Sequence, residues 1–119
     1  EKFPHIKVIR NSKSILNLPV TCSIAVGSPG FSHGERLYAG ISTVLVPQNA
    51  MHRKLCKNWQ KEKCGVYSAA SRSEIAGNIK GLMNNNFQKA REISERGQTV
   101  VDGKGAKRLL EAILQLCDE

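Results

Sequence analysis

Aromatic side chains are scarce in this chain: one tryptophan, two tyrosines and three phenylalanines among 119 residues. Aliphatic residues supply most of the apolar content, which suits a sheet covered by helices better than a β-sandwich or a coiled coil. The same scarcity leaves few rings on which the bases of a single-stranded nucleic acid could stack. No apolar run approaches the ~18–20 residues of a membrane span, and the start of the sequence has no signal-peptide pattern. A soluble, cytoplasmic protein is the expectation.

Several nucleotide and hydrolase fingerprints are also missing. There is no G-x-G-x-x-G, no G-x-x-x-x-G-K-[ST] and no G-x-S-x-G, which disfavours dinucleotide sites, P-loop ATP sites and serine hydrolase chemistry. The four cysteines, Cys22, Cys56, Cys64 and Cys117, form no C-x-x-C pair. They fall beside predicted strands or on apolar helix faces, so buried, reduced thiols are expected. His52 and Cys56 stand four apart on a predicted helix with Cys64 nearby, but a zinc site would lack its fourth ligand. No metal or cofactor is assigned.

What is present begins with charge. Eighteen Lys and Arg against ten Asp and Glu give a formal net charge of +8, which favours anionic partners: nucleotides, sugar phosphates, RNA or acidic membranes. The length fits one domain, spanning 1–119, with no internal repeat or linker.

The organising stretch is residues 23–47. It reads as an apolar strand (SIAV), a glycine loop (GSPG), a helix (FSHGERLYA), a turn at Gly40 and a second apolar strand (STVLV) closed by Pro47. Short β-branched runs flanking a helix-length insert predict a βαβ unit with parallel strands. Ligands of such units gather at the carboxyl ends of the strands, where residues 27–32 would lie.

Before this unit, residues 6–10 (IKVIR) predict a short strand, and residues 13–18 permit one helical turn. After it, Asn49 is a candidate N-cap for an amphipathic helix with Met51, Leu55 and Trp59 on one face. Arg53, Lys54, Lys57, Lys61 and Lys63 occupy the other face. Residues 65–69 predict a fourth strand, and Ser71 with Glu74 a capping box opening a helix that turns Ile75, Ile79, Leu82 and Met83 to the core. The Asn84, Asn85, Asn86 cluster should interrupt that helix. Its continuation carries Phe87, Ala90 and Ile93 to a stop at Gly97, followed by an extended TVV. Asp102 is a candidate cap for a last helix whose Leu110, Ile113, Leu114 and Cys117 follow the spacing of a buried stripe. The overall expectation is an α/β domain with a parallel sheet of about four short strands and flanking helices.

The glycine loop carries the most specific chemistry. A helix N-terminus exposes unpaired N–H groups and a fractional positive charge, so it attracts phosphate where the backbone can approach. Gly27 and Gly30 remove side chains that would hold a diphosphate away, and Ser28 and Ser32 offer hydroxyls. Glu35 is suited to accept hydrogen bonds from sugar or ribose hydroxyls, or else to stabilise the first turn of its helix. His33 is the one histidine near the loop, and a lone helical histidine is more often solvated or structural than a base.

The order of apolar strand, Gly30-Phe31-Ser32-His33-Gly34-Glu35, Leu37, Gly40, VLVP, Asn49 and helix resembles the C-terminal half of GT-B enzymes that use UDP-sugars. The likeness is greatest to UDP-sugar hydrolases of the pseudaminic acid pathway and to spore coat polysaccharide biosynthesis proteins, and DGKGA at 102–106 is similar to their closing motif. The resemblance implies a Rossmann-like, partial GT-B C-terminal domain that binds a UDP-sugar in surface polysaccharide or sialic-acid-like sugar biosynthesis. It places Gly30 and Ser32 against the diphosphate, Glu35 on nucleotide or sugar hydroxyls, and Asn49 at the first position of a pair near the sugar, with Gln48 just before it. Phe31 stands where the family has a small residue, Gly34 where it has tryptophan, and Ala50 where it has glutamine. The family's catalytic histidine lies in an N-terminal half with no counterpart here, so a missing half or a partner subunit is implied and the isolated chain should not turn over substrate.

The candidate substrate-binding residues are therefore Gly27, Ser28, Gly30, Phe31, Ser32, Glu35, Gln48 and Asn49, with no catalytic residue among them. The competing reading is a basic nucleic-acid-binding module using the Arg53 to Lys63 helix face; the shortage of aromatics weighs against it.

Overall fold

A computed structural model describes residues 4–10 and 22–118. The chain forms an α/β fold around a small parallel sheet. In order, β1 (Ile24–Gly27), α1 (Phe31–Tyr38), β2 (Ser42–Leu45), α2 (Ala50–Lys61), β3 (Val66–Tyr67), α3 (Arg72–Val100) and α4 (Gly105–Cys117) follow one another. The sheet order is β1-β2-β3 and both pairings are parallel, with Gly27 opposite Leu45 and Leu45 opposite Tyr67. The carboxyl ends of all three strands thus open on the same edge of the fold.

β2 is the central strand and is buried along its whole length, which explains its unbroken apolar and hydroxyl run STVL. Val44 packs with Val66 of β3 and with Leu82, Ala90 and Ile93 of α3, flanked by Ile24 and Ile79. Among the described residues no helix is long and apolar enough to cross a membrane.

The sheet has three strands rather than the expected four. Residues 6–10 pair with no strand among the described residues, and Ile6, Val8 and Ile9 are 50–71% exposed. β-Branched composition confers fitness for a pleated, half-buried surface, and the described residues supply no neighbouring strand to provide it. The helical turn expected at 13–18 lies outside the described residues.

α2 is capped as expected, with Asn49 Oδ1 accepting from His52 N at 2.8 Å. Its buried anchor, however, is Cys56, while Met51 is 72% exposed and Leu55 and Trp59 are half-buried. Cys64 is buried with Cys56, and burial raises both thiol pKa values; Cys22 and Cys117 are exposed, contrary to the uniform burial expected.

α3 opens on Ser71, whose hydroxyl accepts from Glu74 N. It breaks at the asparagines: Asn84 is extended and Asn85, Asn86 and Phe87 adopt left-handed backbone (φ 53–61°). Asparagine adopts this conformation readily and phenylalanine rarely; the φ of 61° places Phe87 in the break and not in the second helical segment. Arg91 Nη1 donates to the Asn86 carbonyl across it.

That second segment does not stop at Gly97 but continues to Val100, so Thr99 and Val100 are helical rather than extended. Gly97 is there for close packing. A Cβ at this position would lie 2.6 Å from Leu37 Cδ2, and Leu37 is 1% exposed with no room to withdraw. Gly97→Val should therefore force α1 off α3 and lower stability by about 2 kcal/mol, read as a fall in the urea midpoint at unchanged m-value.

The largest departure is α4, none of whose residues is buried; Leu110, Ile113 and Leu114 are 48–55% exposed. Its periodicity defines an apolar face, but among the described residues no element packs closely enough on that face to bury it. The helix start is nonetheless well made. Asp102 accepts from Lys104 N at 2.9 Å and from Arg108 Nη1 at 2.8 Å. Lys104 occupies the N-cap position expected for Asp102. The Arg108 contact, with the Lys104 amide, lowers the Asp102 pKa to about 2.

Candidate functional site

The parallel β1–α1–β2 unit places residues 27–32 where its strand ends. Gly27 is the last residue of β1, and its carbonyl accepts from Val46 N at 2.9 Å, so the loop after β1 and the loop after β2 leave the sheet side by side. Gly30 is the N-cap of α1 and makes no side-chain capping bond, having no side chain with which to make one. Such a terminus is completed from outside, by solvent or by an anion.

A buried guanidinium holds this loop in shape. Arg36, one turn into α1 and only 5% exposed, donates from Nη2 to the Ser28 carbonyl at 2.6 Å, from Nη1 to Ser32 Oγ at 3.2 Å and from Nε to Thr43 Oγ1 at 3.1 Å. One side chain thus ties the loop, the first turn of α1 and the middle of β2 together. Gly27 is what admits it: a Cβ there would stand 2.9 Å from Arg36 Nη1. Arg36 forms no ion pair among the described residues. Burial lowers its pKa, and the neighbouring Glu35 carboxylate works in the opposite direction. An arginine remains charged at neutral pH under such a shift, so the loop sits above a fixed positive charge.

The other expected site residues divide into two groups. Ser28 and Ser32 are on the loop, but the Ser28 carbonyl and the Ser32 hydroxyl are engaged by Arg36, so part of their role is architectural. Phe31, the first residue of α1, is fully exposed. Glu35 is half-buried one turn after Ser32. Gln48 and Asn49 are exposed beyond β2 on the same edge of the sheet. Asn49 Oδ1 is committed to capping α2, and Gln48 N donates to His52 Nδ1 at 3.4 Å.

His33 lies beneath the loop and is fully buried. Its Nε2 faces the Cys64 carbonyl at 3.0 Å, and a carbonyl only accepts, so Nε2 carries the proton and the ring is neutral. The ring meets Trp59 edge to face, centroids 5.1 Å apart. Burial, with the Arg36 charge adding to it, lowers its pKa to about 4 against the smaller opposing effect of the Cys64 bond. Nδ1 is buried without a hydrogen-bond partner. These contacts make His33 a structural link from α1 to the end of α2, with no surface through which to exchange protons.

Two features escaped the sequence reading. Arg36 could have been flagged by its i+4 spacing from Ser32, which puts both on one helix face. The third strand end adds a cavity of about 440 Å³ bordered by Tyr67, Ser68, Glu74 and Asn78. Its carboxylate and carboxamide are suited to hydroxyl groups, and it required knowing that β3 lies parallel to β2. Among the described residues no group of three or more His, Cys, Asp and Glu side chains could hold a metal ion. On the outer face of α2, Arg53, Lys54, Lys57 and Lys61 are exposed, as is Lys63 just beyond it. In comparisons with protein-family models, with curated proteins and with solved structures, nothing matches this chain.

Proposed function

We propose that this chain is a nucleotide-sugar-binding domain of the Rossmann-like, GT-B type, in which the 27–32 loop receives the diphosphate of a UDP-sugar. The observation that carries the reading is the pairing of an uncapped helix start at Gly30 with the buried Arg36 cation directly beneath the loop. Glycine backbone lets an anion approach, the helix terminus and the guanidinium supply field, and Glu35 is spaced to meet sugar or ribose hydroxyls. Gln48, the Asn49 amide and the Glu74–Asn78 cavity open on the same edge and are available for the remainder of such a ligand. On this reading the chain binds but does not catalyse: it is the nucleotide-holding part of a hydrolase or glycosyltransferase of surface polysaccharide or sialic-acid-like sugar biosynthesis, and the catalytic groups come from a further N-terminal half or a partner subunit.

Titration of UDP and UDP-GlcNAc into isotope-labelled protein tests this. The amides of residues 27–35 should shift with dissociation constants in the high micromolar to millimolar range, and uridine without phosphate should leave them in place. Unmoved loop amides at millimolar UDP would refute the proposal. The exposed basic face of α2 supports a second reading, a nucleic-acid-binding module. It requires oligonucleotide binding that weakens steeply with salt and that disappears when Lys54 and Lys57 are replaced by alanine.

A further inference from the structure

The opposite end of the sheet holds a second cavity, of about 370 Å³, at the amino end of β3 between the close of α2 and the second segment of α3. Val66 and Ile93, both more than nine-tenths buried, give it an apolar floor. Its rim carries three cations, Lys63, Lys89 and Arg96, against a single carboxylate, Glu92. Arg96 is partly neutralised by Glu62 at 3.4 Å, and Glu92 accepts from Gln88 at 3.3 Å. Lys63 and Lys89 have no ion-pair partner among the described residues.

Lys63 is there against local preference. α2 ends with Lys63 N bonded to the Gln60 carbonyl and Cys64 N to that of Trp59, the termination in which the residue occupied by Lys63 must be left-handed. Its φ is 61°, a conformation that glycine adopts without strain and lysine does not. The packing of α2 against β3 thus holds a strained residue whose ammonium borders a cavity already rich in positive charge.

From the unpaired cations over an apolar floor we infer that this cavity binds a small organic anion, a phosphate or carboxylate head on a compact apolar body. The head meets Lys63 and Lys89 at the rim and the body covers Val66 and Ile93. The volume is within the range of small-ligand cavities. Because the strands are parallel, this site and the 27–32 loop lie at opposite ends of the sheet, so the inference stands whether or not the loop binds a nucleotide.

Phenyl phosphate is a suitable probe, with inorganic phosphate and phenol as its two halves, followed by amide shifts of the full chain. Phenyl phosphate should move Gly65, Val66 and Ile93 and should bind more tightly than either half. Lys63→Gly and Lys89→Ala should each weaken it about fivefold, the scale of one partly exposed charge contact. Lys63→Gly should at the same time raise the urea midpoint by relieving the left-handed lysine, so weaker binding cannot be ascribed to a damaged fold. Glu92→Gln should tighten binding. Shifts confined to residues 27–35, equal affinity for phenyl phosphate and phenol, or full affinity in both lysine variants would each overturn the inference.

Discussion

Acidification from pH 7 to pH 4 should destabilise this protein by about 3 kcal/mol through His33 alone, at up to about 1.4 kcal/mol per pH unit. In the unfolded chain the imidazole takes up a proton near its ordinary pKa of 6.5; in the native state it does so only near 4. Between those values the unfolded state binds the additional proton. Stability is therefore full above about pH 6.5, falls as the pH drops through the window, and stops falling through this group below about 4. The cause is local. A proton on Nδ1 would place a second charge in a fully buried ring beside the Arg36 guanidinium, with no acceptor to receive it. His33→Gln can still donate to the Cys64 carbonyl and does not titrate, so its urea midpoint should decline less steeply between pH 6.5 and 4. Identical slopes in the two proteins would show that His33 is not the group responsible. Asp102 acts in a separate and lower window: its depressed pKa of about 2 gives a contribution present above the ordinary carboxylate range and lost as the pH falls toward 2.

Replacement of Arg36 should do comparable damage at neutral pH and should bear directly on binding. Arg36→Ala removes three hydrogen bonds, leaves Thr43 Oγ1 buried without a donor and opens a cavity beneath the loop, with an expected loss of about 3 kcal/mol. Arg36→Met fills much of the volume but supplies no donor, so it should recover part of the stability and none of the loop geometry. If the loop receives phosphate as proposed, Arg36→Met should weaken UDP binding at least tenfold while the fold survives, because both the field and the anchors of Ser28 and Ser32 are lost. Arg36→Lys should not restore binding: one ammonium cannot reach the Ser28 carbonyl, the Ser32 hydroxyl and Thr43 together. Unchanged UDP affinity in a folded Arg36→Met protein would exclude the guanidinium from the site. Thermal unfolding and amide-shift titration on the same samples separate the two effects.

His33 and Arg36 are neighbours on α1 whose roles follow from direction. In the eight residues from Phe31 to Tyr38, His33, Arg36 and Leu37 point inward, at 0%, 5% and 1% exposure, while Phe31 is bare. The charged member of the inward set supports the loop, the titratable one reaches to the end of α2, and the apolar one meets Gly97. A helix that presents its arginine and histidine to the interior and its phenylalanine to solvent reverses the usual order, and that reversal sets the loop apart from ordinary packing.

Local pattern alone determined much of the chain. The strand–glycine–helix–strand order of residues 23–47 fixed a parallel βαβ unit, Asn49 and Ser71 fixed two helix starts, and three successive asparagines marked the break in α3. These are short-range effects, set by backbone preference, capping and hydrophobic period, and need no knowledge of distant residues. Tertiary structure decided everything that depended on a partner. Among the described residues, 6–10 have strand composition but no strand beside them, and the apolar stripe of α4 has period but stays exposed; Gly97, which reads as a helix stop, serves as the contact where α1 meets α3. Arg36 went unremarked for the same reason. Its sequence neighbours show a charged residue on a short helix, and only the approach of Thr43 from β2 and Ser28 from the loop turns that charge inward. Burial is a property of what surrounds a residue, and one-dimensional pattern records only what the residue would accept.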